Sequence, residues 1–267
     1  MTETTSTPTT PQEKDGHEMR MAFLAHLGEL RDRGLRAFIA VFIGTLIGFV
    51  FAAQGLEVLR GPFCEIALES SQAADCRFQL LDPTSGIMVY FRVALLIGGI
   101  LSIPVVTYQF MAFVVPGLTK RERRLVFMAL PAITLLFLVG VVFSWFVLIP
   151  PALTFLNGFL PDLFRPDWTA QGYLRFTTSL IFWMGVAFET PLVFFVLSVL
   201  GVVTPQALIQ NWRLAVVGAS IAAAMITPTI DPVNMFLVMG PLLVLYAISI
   251  LLSFIGVRIN RGQSVES

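Results

Sequence analysis

Charge is scarce in this sequence. Only 13% of its 267 residues are Asp, Glu, Lys or Arg, where soluble domains carry about a quarter. By contrast 56% are hydrophobic and mean hydropathy is +0.82, so too few charges exist to coat a globule of this size. The 17 basic and 17 acidic residues cancel, and no net basic field is offered to nucleic acid. Histidine is scarcer still. His17 and His26 both lie near the N-terminus, leaving no imidazole deeper in the chain to act as base or metal ligand. HExxH, CxxC, P-loop and GxSxG patterns are all missing, so hydrolytic, redox and nucleotide-driven chemistry lack their usual parts. Neither an enzyme nor a cofactor is expected. The opening stretch MTETTSTPTTPQEKDGHEMR has no apolar core of a signal peptide. Residues 1–19 are expected as a disordered tail, because their composition buries too little surface to order itself.

What the sequence does have is apolar blocks. Crossing about 30 Å of hydrocarbon takes roughly 20 helical residues. Blocks of that kind are read at 37–53, 87–110, 125–149, 176–200 and 233–256, with a shorter one at 214–226. The expected fold is all-α: a polytopic membrane protein with six transmembrane helices over residues 20–258 and a C-terminal tail at 259–267. The turn TPTIDP (227–232) would make a tight hairpin of the last two helices. Lys and Arg near the helix ends set orientation. With the N-terminus inside, Lys14, Arg20, Arg31, Arg33, Arg36, Lys120, Arg121, Arg123, Arg124, Arg213, Arg258 and Arg261 fall inside, against Arg60, Arg77, Arg165 and Arg175 outside. Both termini are therefore expected in the cytoplasm.

Within this frame a few side chains stand out. Cys64 and Cys76 fall in the first outer connection, where a disulfide and two unpaired thiols are both open readings. Glu189, in GVAFETP, sits inside the fourth block, where a carboxylate costs about 2.5–3.5 kcal/mol to insert and commonly marks function. The plainer reading is an acid bonded to backbone freed by Pro191. Arg92, one turn inside the second block, is read as reaching back to the interface. Two cytoplasmic segments, HLGELRDRGLR (26–36) and FVVPGLTKRERR (113–124), each place a glutamate, Glu29 and Glu122, among arginines. A surface anchor, a topology signal and a capping box from Thr119 to Glu122 explain each segment separately, but not the acid common to both. Asp231 reads most simply as a turn residue that bonds its own backbone.

Taken in order, HLGELRDR, YQFMAFVVPGLTKRERR (108–124), GVAFETP (185–191) and TPTIDP make the chain resemble TatC, the multi-spanning subunit of the twin-arginine protein translocase. The resemblance spans roughly residues 20–258. One departure is visible: Asn234 and Met235 stand where the family often has Ser-Gln. The resemblance implies a concave, glove-shaped bundle in the bacterial cytoplasmic membrane that receives folded cargo through signal peptides bearing paired arginines. Glu29 and Glu122 would be the recognition acids, with Arg31, Phe113, Pro116 and Arg124 around them. Glu189 would be the intramembrane polar position where a single-span partner docks. Implied partners are TatA-type and TatB-type subunits, within a complex holding several copies of the chain and driven by the proton-motive force. A rival reading is a proton-coupled small-molecule transporter with Glu189 and Asp231 as relay. No internal repeat supports it.

Overall fold

Hydrocarbon offers no partner to backbone N–H and C=O groups, so a chain crossing it satisfies them within helices. The computed structural model describes the backbone of residues 11–69, 77–114, 120–160, 163, 168–229 and 231–264. It describes side chains over 28–65, 77–113, 130–160, 163, 168–229 and 231–258. In chain order come α1 (Pro11–Glu69), α2 (Ser85–Val114), α3 (Lys120–Phe143), a π turn (Ser144–Leu148) and α4 (Ile149–Asn157). Then follow α5 (Ala170–Phe188), α6 (Thr190–Val199), α7 (Pro205–Gln210), α8 (Trp212–Ile226) and α9 (Pro232–Ser264). Among the described residues the only β pairing is an isolated bridge between Gln79 and Thr169.

Among the described residues five helical stretches are long and apolar enough to cross a membrane: Gly28–Glu65, Ser85–Phe113, Leu130–Asn157, Ala170–Val199 and Pro232–Arg258. The sixth expected segment is α8. Its 15 residues rise only about 22 Å, short of the ~30 Å core. Elsewhere the boundaries moved outward. Helix α1 includes residues 11–19, which were expected in a disordered tail, and it runs past Ala53 to Glu69. The apolar run ends where expected, but the helix continues as an amphipathic one. Leu56, Leu59 and Phe63 keep helical spacing, and Tyr173 donates its hydroxyl to the Leu59 carbonyl at 2.7 Å. Cys64 therefore sits on a helix rather than in a loop, and Cys76 lies outside the described residues. Helix α9 likewise continues to Ser264, into the stretch read as a tail.

Tight packing starts with α1 and α2, the most extensive helix pair in the fold. A Cβ added to Gly44 would meet the Gly98 carbonyl oxygen at 2.6 Å, and one on Gly98 would meet the Thr45 backbone at 2.5 Å. Only glycine lets the two backbones come this close, and Gly44-Thr-Leu-Ile-Gly48 is a small-xxx-small stripe. A second close approach joins α3 to α5, where a Cβ on Gly140 would strike the Met184 carbonyl at 2.7 Å. Pro150 and Pro151 cannot donate backbone hydrogen bonds, so the helix begun as α3 passes through the π turn and restarts as α4. Phe137, Leu148, Ile149, Leu153, Leu174 and Met184 fill the interior. No span buries more than 33% of its most apolar window, and the remaining apolar side chains, Phe38, Phe42 and Val50 among them, face outward. In a membrane those faces meet lipid, which asks for no polar shell.

Candidate functional site

Glu29 stands on α1 one turn before Arg33, a spacing that lets the two side chains meet. Arg33 donates to the same Glu29 oxygen from Nε at 2.9 Å and from Nη2 at 2.5 Å. Both side chains are about a quarter to a third exposed. The pair keeps some contact with solvent, and i,i+4 ion pairs on helix surfaces contribute only about 0.3–0.5 kcal/mol. Arg31 instead pairs with Asp32 in the open, at 3.1 Å with both side chains more than half exposed. The acid therefore already holds a guanidinium, weakly, through one of its two oxygens.

The register of α1 against α2 locates this acid relative to the second segment. Gly44 lies over Gly98 and Gly48 over Ala94, so each step forward on α1 is a step back on α2. Carried fifteen residues the other way, an unbent register would put Glu29 level with Phe113, the last side chain described on α2. Phe113 is half-buried there. Beyond it lie residues 115–119, Pro116 and Thr119 included, which fall outside the described residues, as does the capping box expected from Thr119. Glu122 and Arg124 lie in the first turns of α3, and their side chains also fall outside the description. The antiparallel pairing of α1 and α2 thus brings the Glu29 turn and the Phe113 end of α2 to one end of the molecule.

Glu189 occupies a break. The span from Ala170 to Val199 is two helices, α5 and α6, with Glu189 between them and Pro191 behind it. Its backbone carbonyl accepts from the N–H groups of Leu192 and Val193, both at 3.0 Å. Its carboxyl is not spent in the same way: Oε1 is buried and has no hydrogen-bond partner among the described residues. The reading in which this carboxyl bonds backbone freed by Pro191 finds no support at Oε1. Burying a polar atom unpaired costs about 1–3 kcal/mol, so the position asks for a partner.

Asp231 is the opposite case. Its Oδ1 accepts the Asn234 backbone N–H at 2.7 Å and its Oδ2 accepts the Asn234 side-chain amide at 3.0 Å. With Pro232 as the first helical residue, this is an N-cap on α9. Partial burial pushes the Asp231 carboxyl up, but hydrogen bonding from Asn234 and its neighbours outweighs it and holds the group below the usual range. Asn234, almost fully buried, is the partner that sequence reading passed over, although Asp-Pro itself is a helix-start signal.

Asp231 and Glu189 sit at different depths. A pocket places Thr229, in the Asp231 turn, beside Trp168, Thr169 and Tyr173 at the start of α5, whereas Glu189 lies nineteen residues further on, about 28 Å along the axis. No group of three or more potential metal ligands occurs among the described residues.

Comparison with known proteins agrees with this architecture. Residues 25–241 match the family model described as Sec-independent protein translocase protein (TatC). The chain is 33% identical to the Sec-independent protein translocase protein TatC of Synechocystis sp., over 91% of its own length and 92% of that protein's. It is 32% identical to the chloroplastic TATC of Pisum sativum, covering 86% of the chain and 63% of that longer protein. A crystal structure titled twin arginine translocase receptor TatC superposes with a TM-score of 0.76 at 35% identity, covering 86% of this chain and 99% of that one.

Proposed function

The chain belongs to the TatC family, and from that premise we propose that Glu29 and Glu122 receive the two guanidinium groups of a twin-arginine signal peptide. As a family member the chain is a receptor subunit of a protein translocase, not an enzyme, and it works in a complex with other subunits. The observation that carries the site assignment is the Glu29–Arg33 pair. A carboxylate that already accepts two bonds from a guanidinium fork, at little cost to release, is chemically matched to an incoming arginine. Lysine has no such fork. An arriving peptide would exchange one arginine for another and use the second Glu29 oxygen as well. Arg31, Phe113, Pro116 and Arg124 would frame the site, with Phe113 offering an apolar surface level with Glu29.

In this reading both termini and the Glu29 end face the cytoplasm, and α8 crosses as a short sixth span paired with α9 in a concave bundle. The membrane is the bacterial cytoplasmic membrane. TatA-type and TatB-type single-span subunits dock at the break in the fourth span, where a polar side chain satisfies Glu189, and several copies of the chain join the hetero-complex. The proton-motive force drives transport. A relay of Glu189 and Asp231 in a small-molecule transporter is disfavoured, since one acid is committed to a helix cap and the two lie far apart along α5. Photocrosslinking from position 29 or 122 to a twin-arginine precursor tests the assignment. A crosslink to the Arg-Arg precursor that disappears with Lys-Lys supports it, and equal crosslinking of both sinks it.

A further inference from the structure

Two cavities meet on the flank of the molecule between α2 and α5, and neither belongs to the sites above. One, of about 460 Å³, is lined by Ile87, Phe91, Arg92, Leu95 and Gln171. The other, of about 270 Å³, shares Arg92 and Leu95 and continues past Ser179, Phe182 and Trp183. We propose that this groove binds an anionic phospholipid, its phosphate held by Arg92 and Arg175 and one acyl chain lying along α5. Three observations fit that ligand.

The charges come first. Arg92 is half-buried seven residues into α2. Among the described residues neither Arg92 nor Arg175 pairs with a carboxylate. Arg92 lines both cavities, and Arg175 stands on α5 one turn from Gln171 and from Ser179, which line them too. An anion between two such guanidinium groups is stabilised by both, and phosphate suits their fork geometry. Gln171 adds a donor at the mouth. Its carbonyl accepts the Ser85 hydroxyl at 3.3 Å, while its amide nitrogen meets only the Met88 sulfur, at 4.0 Å.

Depth is the second observation. Arg92 lies about 10 Å below the first residue of α2 and Arg175 about 8 Å below that of α5, and the two helices start together, since Ser85 bonds Gln171. From Gln171 to Trp183 the groove runs about 18 Å along α5, close to one leaflet's share of a ~30 Å hydrocarbon core. Headgroup and chain both have a place.

Width favours a lipid over the other candidate, an acidic transmembrane helix. Spread over 18 Å, the two cavities together average only about 40 Å² in cross-section, room for one acyl chain but about half that of a helix 10 Å across. Ile87, Phe91 and Leu95 on the rim are each half exposed or more, so the groove opens sideways to the bilayer rather than inward.

Native mass spectrometry of the full-length chain, titrated with phosphatidylglycerol or phosphatidylcholine, tests this. Phosphatidylglycerol is expected to bind preferentially. Arg92→Gln should weaken it about tenfold or more, as loss of a hydrogen bond to a charged group does. Arg92→Lys should fall between, and Arg60→Gln, a basic residue of the outer half of α1 that does not line the groove, should change nothing. The proposal is overturned if Arg92→Gln stays within twofold of wild type, if Arg60→Gln weakens binding equally, or if soluble glycerol phosphate binds as well as the lipid. A photocrosslinker at Leu95 that captures protein instead of lipid in intact membranes also overturns it. Should Arg92→Gln fail to fold, by thermal unfolding in detergent, Arg175→Gln carries the same expectation at a smaller size.

Discussion

The two ends of the molecule each present a carboxylate to the boundary, and they use it in opposite ways. At one end Glu29 holds the tip of a long side chain, Arg33, through a single oxygen. At the other, Asp231 holds the start of its own helix, with both oxygens committed to Asn234. A bond to a flexible arm can be exchanged for a bond to another molecule at small cost. A bond to one's own backbone cannot, because breaking it strips the end of α9. The same chemical group is thus exchangeable in one region and structural in the other. Glu189, midway and with Oε1 unpartnered, is neither: it is incomplete.

The largest test of this contrast removes the exchangeable acids. Glu29→Ala and Glu122→Ala should each weaken binding of a twin-arginine peptide about tenfold or more, measured by fluorescence anisotropy, while Asp231→Ala leaves that affinity unchanged. If Asp231→Ala weakened the peptide as much as Glu29→Ala, the two ends would not differ in kind. Next in size, Glu189→Leu should stabilise the isolated chain by about 1–3 kcal/mol, because it removes an unpaired buried atom. It should also reduce crosslinks to single-span partners and leave peptide binding intact. A loss of stability instead would mean that the carboxyl is already satisfied.

Smaller again, Asp231→Ala should cost about 1 kcal/mol of stability, the usual worth of an N-cap. The pH dependence has a definite sign. A carboxyl held below its ordinary pKa contributes stability that is present above about pH 4 and lost as pH falls through the lower folded value. Acid unfolding of wild type should therefore lose this contribution below about pH 4, and the variant should lack that step. The smallest effect is expected of Arg33→Gln, which frees Glu29 of its resting partner. Peptide affinity should rise by about twofold, the worth of an i,i+4 helix pair. A fall would instead make Arg33 part of the peptide site.

Much of this was legible in the sequence because hydrophobic blocks and proline-bearing turns report helices and their ends directly. The shortness of α8 and the backbone-bonding role of Asp231 both follow from local pattern. The length of α1 does not. Beyond Ala53 its apolar residues thin out to one face, and the aromatic residues that this face meets, Phe78 and Tyr173, lie far along the chain. The interruption at Glu189 was hidden for a similar reason: Pro191 hinted at it, but an unbroken apolar run reads as one helix. The Gly44-xxx-Gly48 stripe was visible, yet its partner, Gly98, is a matter of register that one chain's pattern does not supply. For Glu122 and Arg124, sequence still says more than the described side chains do.

Helix α1 has no proline between Gly28 and Gly61, and glycine packing clamps its middle to α2. From Glu29 to Leu59, whose carbonyl is taken by Tyr173, is about 45 Å of unbroken helix. A ligand that shifts one tip of such a lever transmits torque to the other, pivoting at the clamp. Occupancy on one side of the membrane could thus be felt at the opposite surface with no channel, wire or second messenger between them.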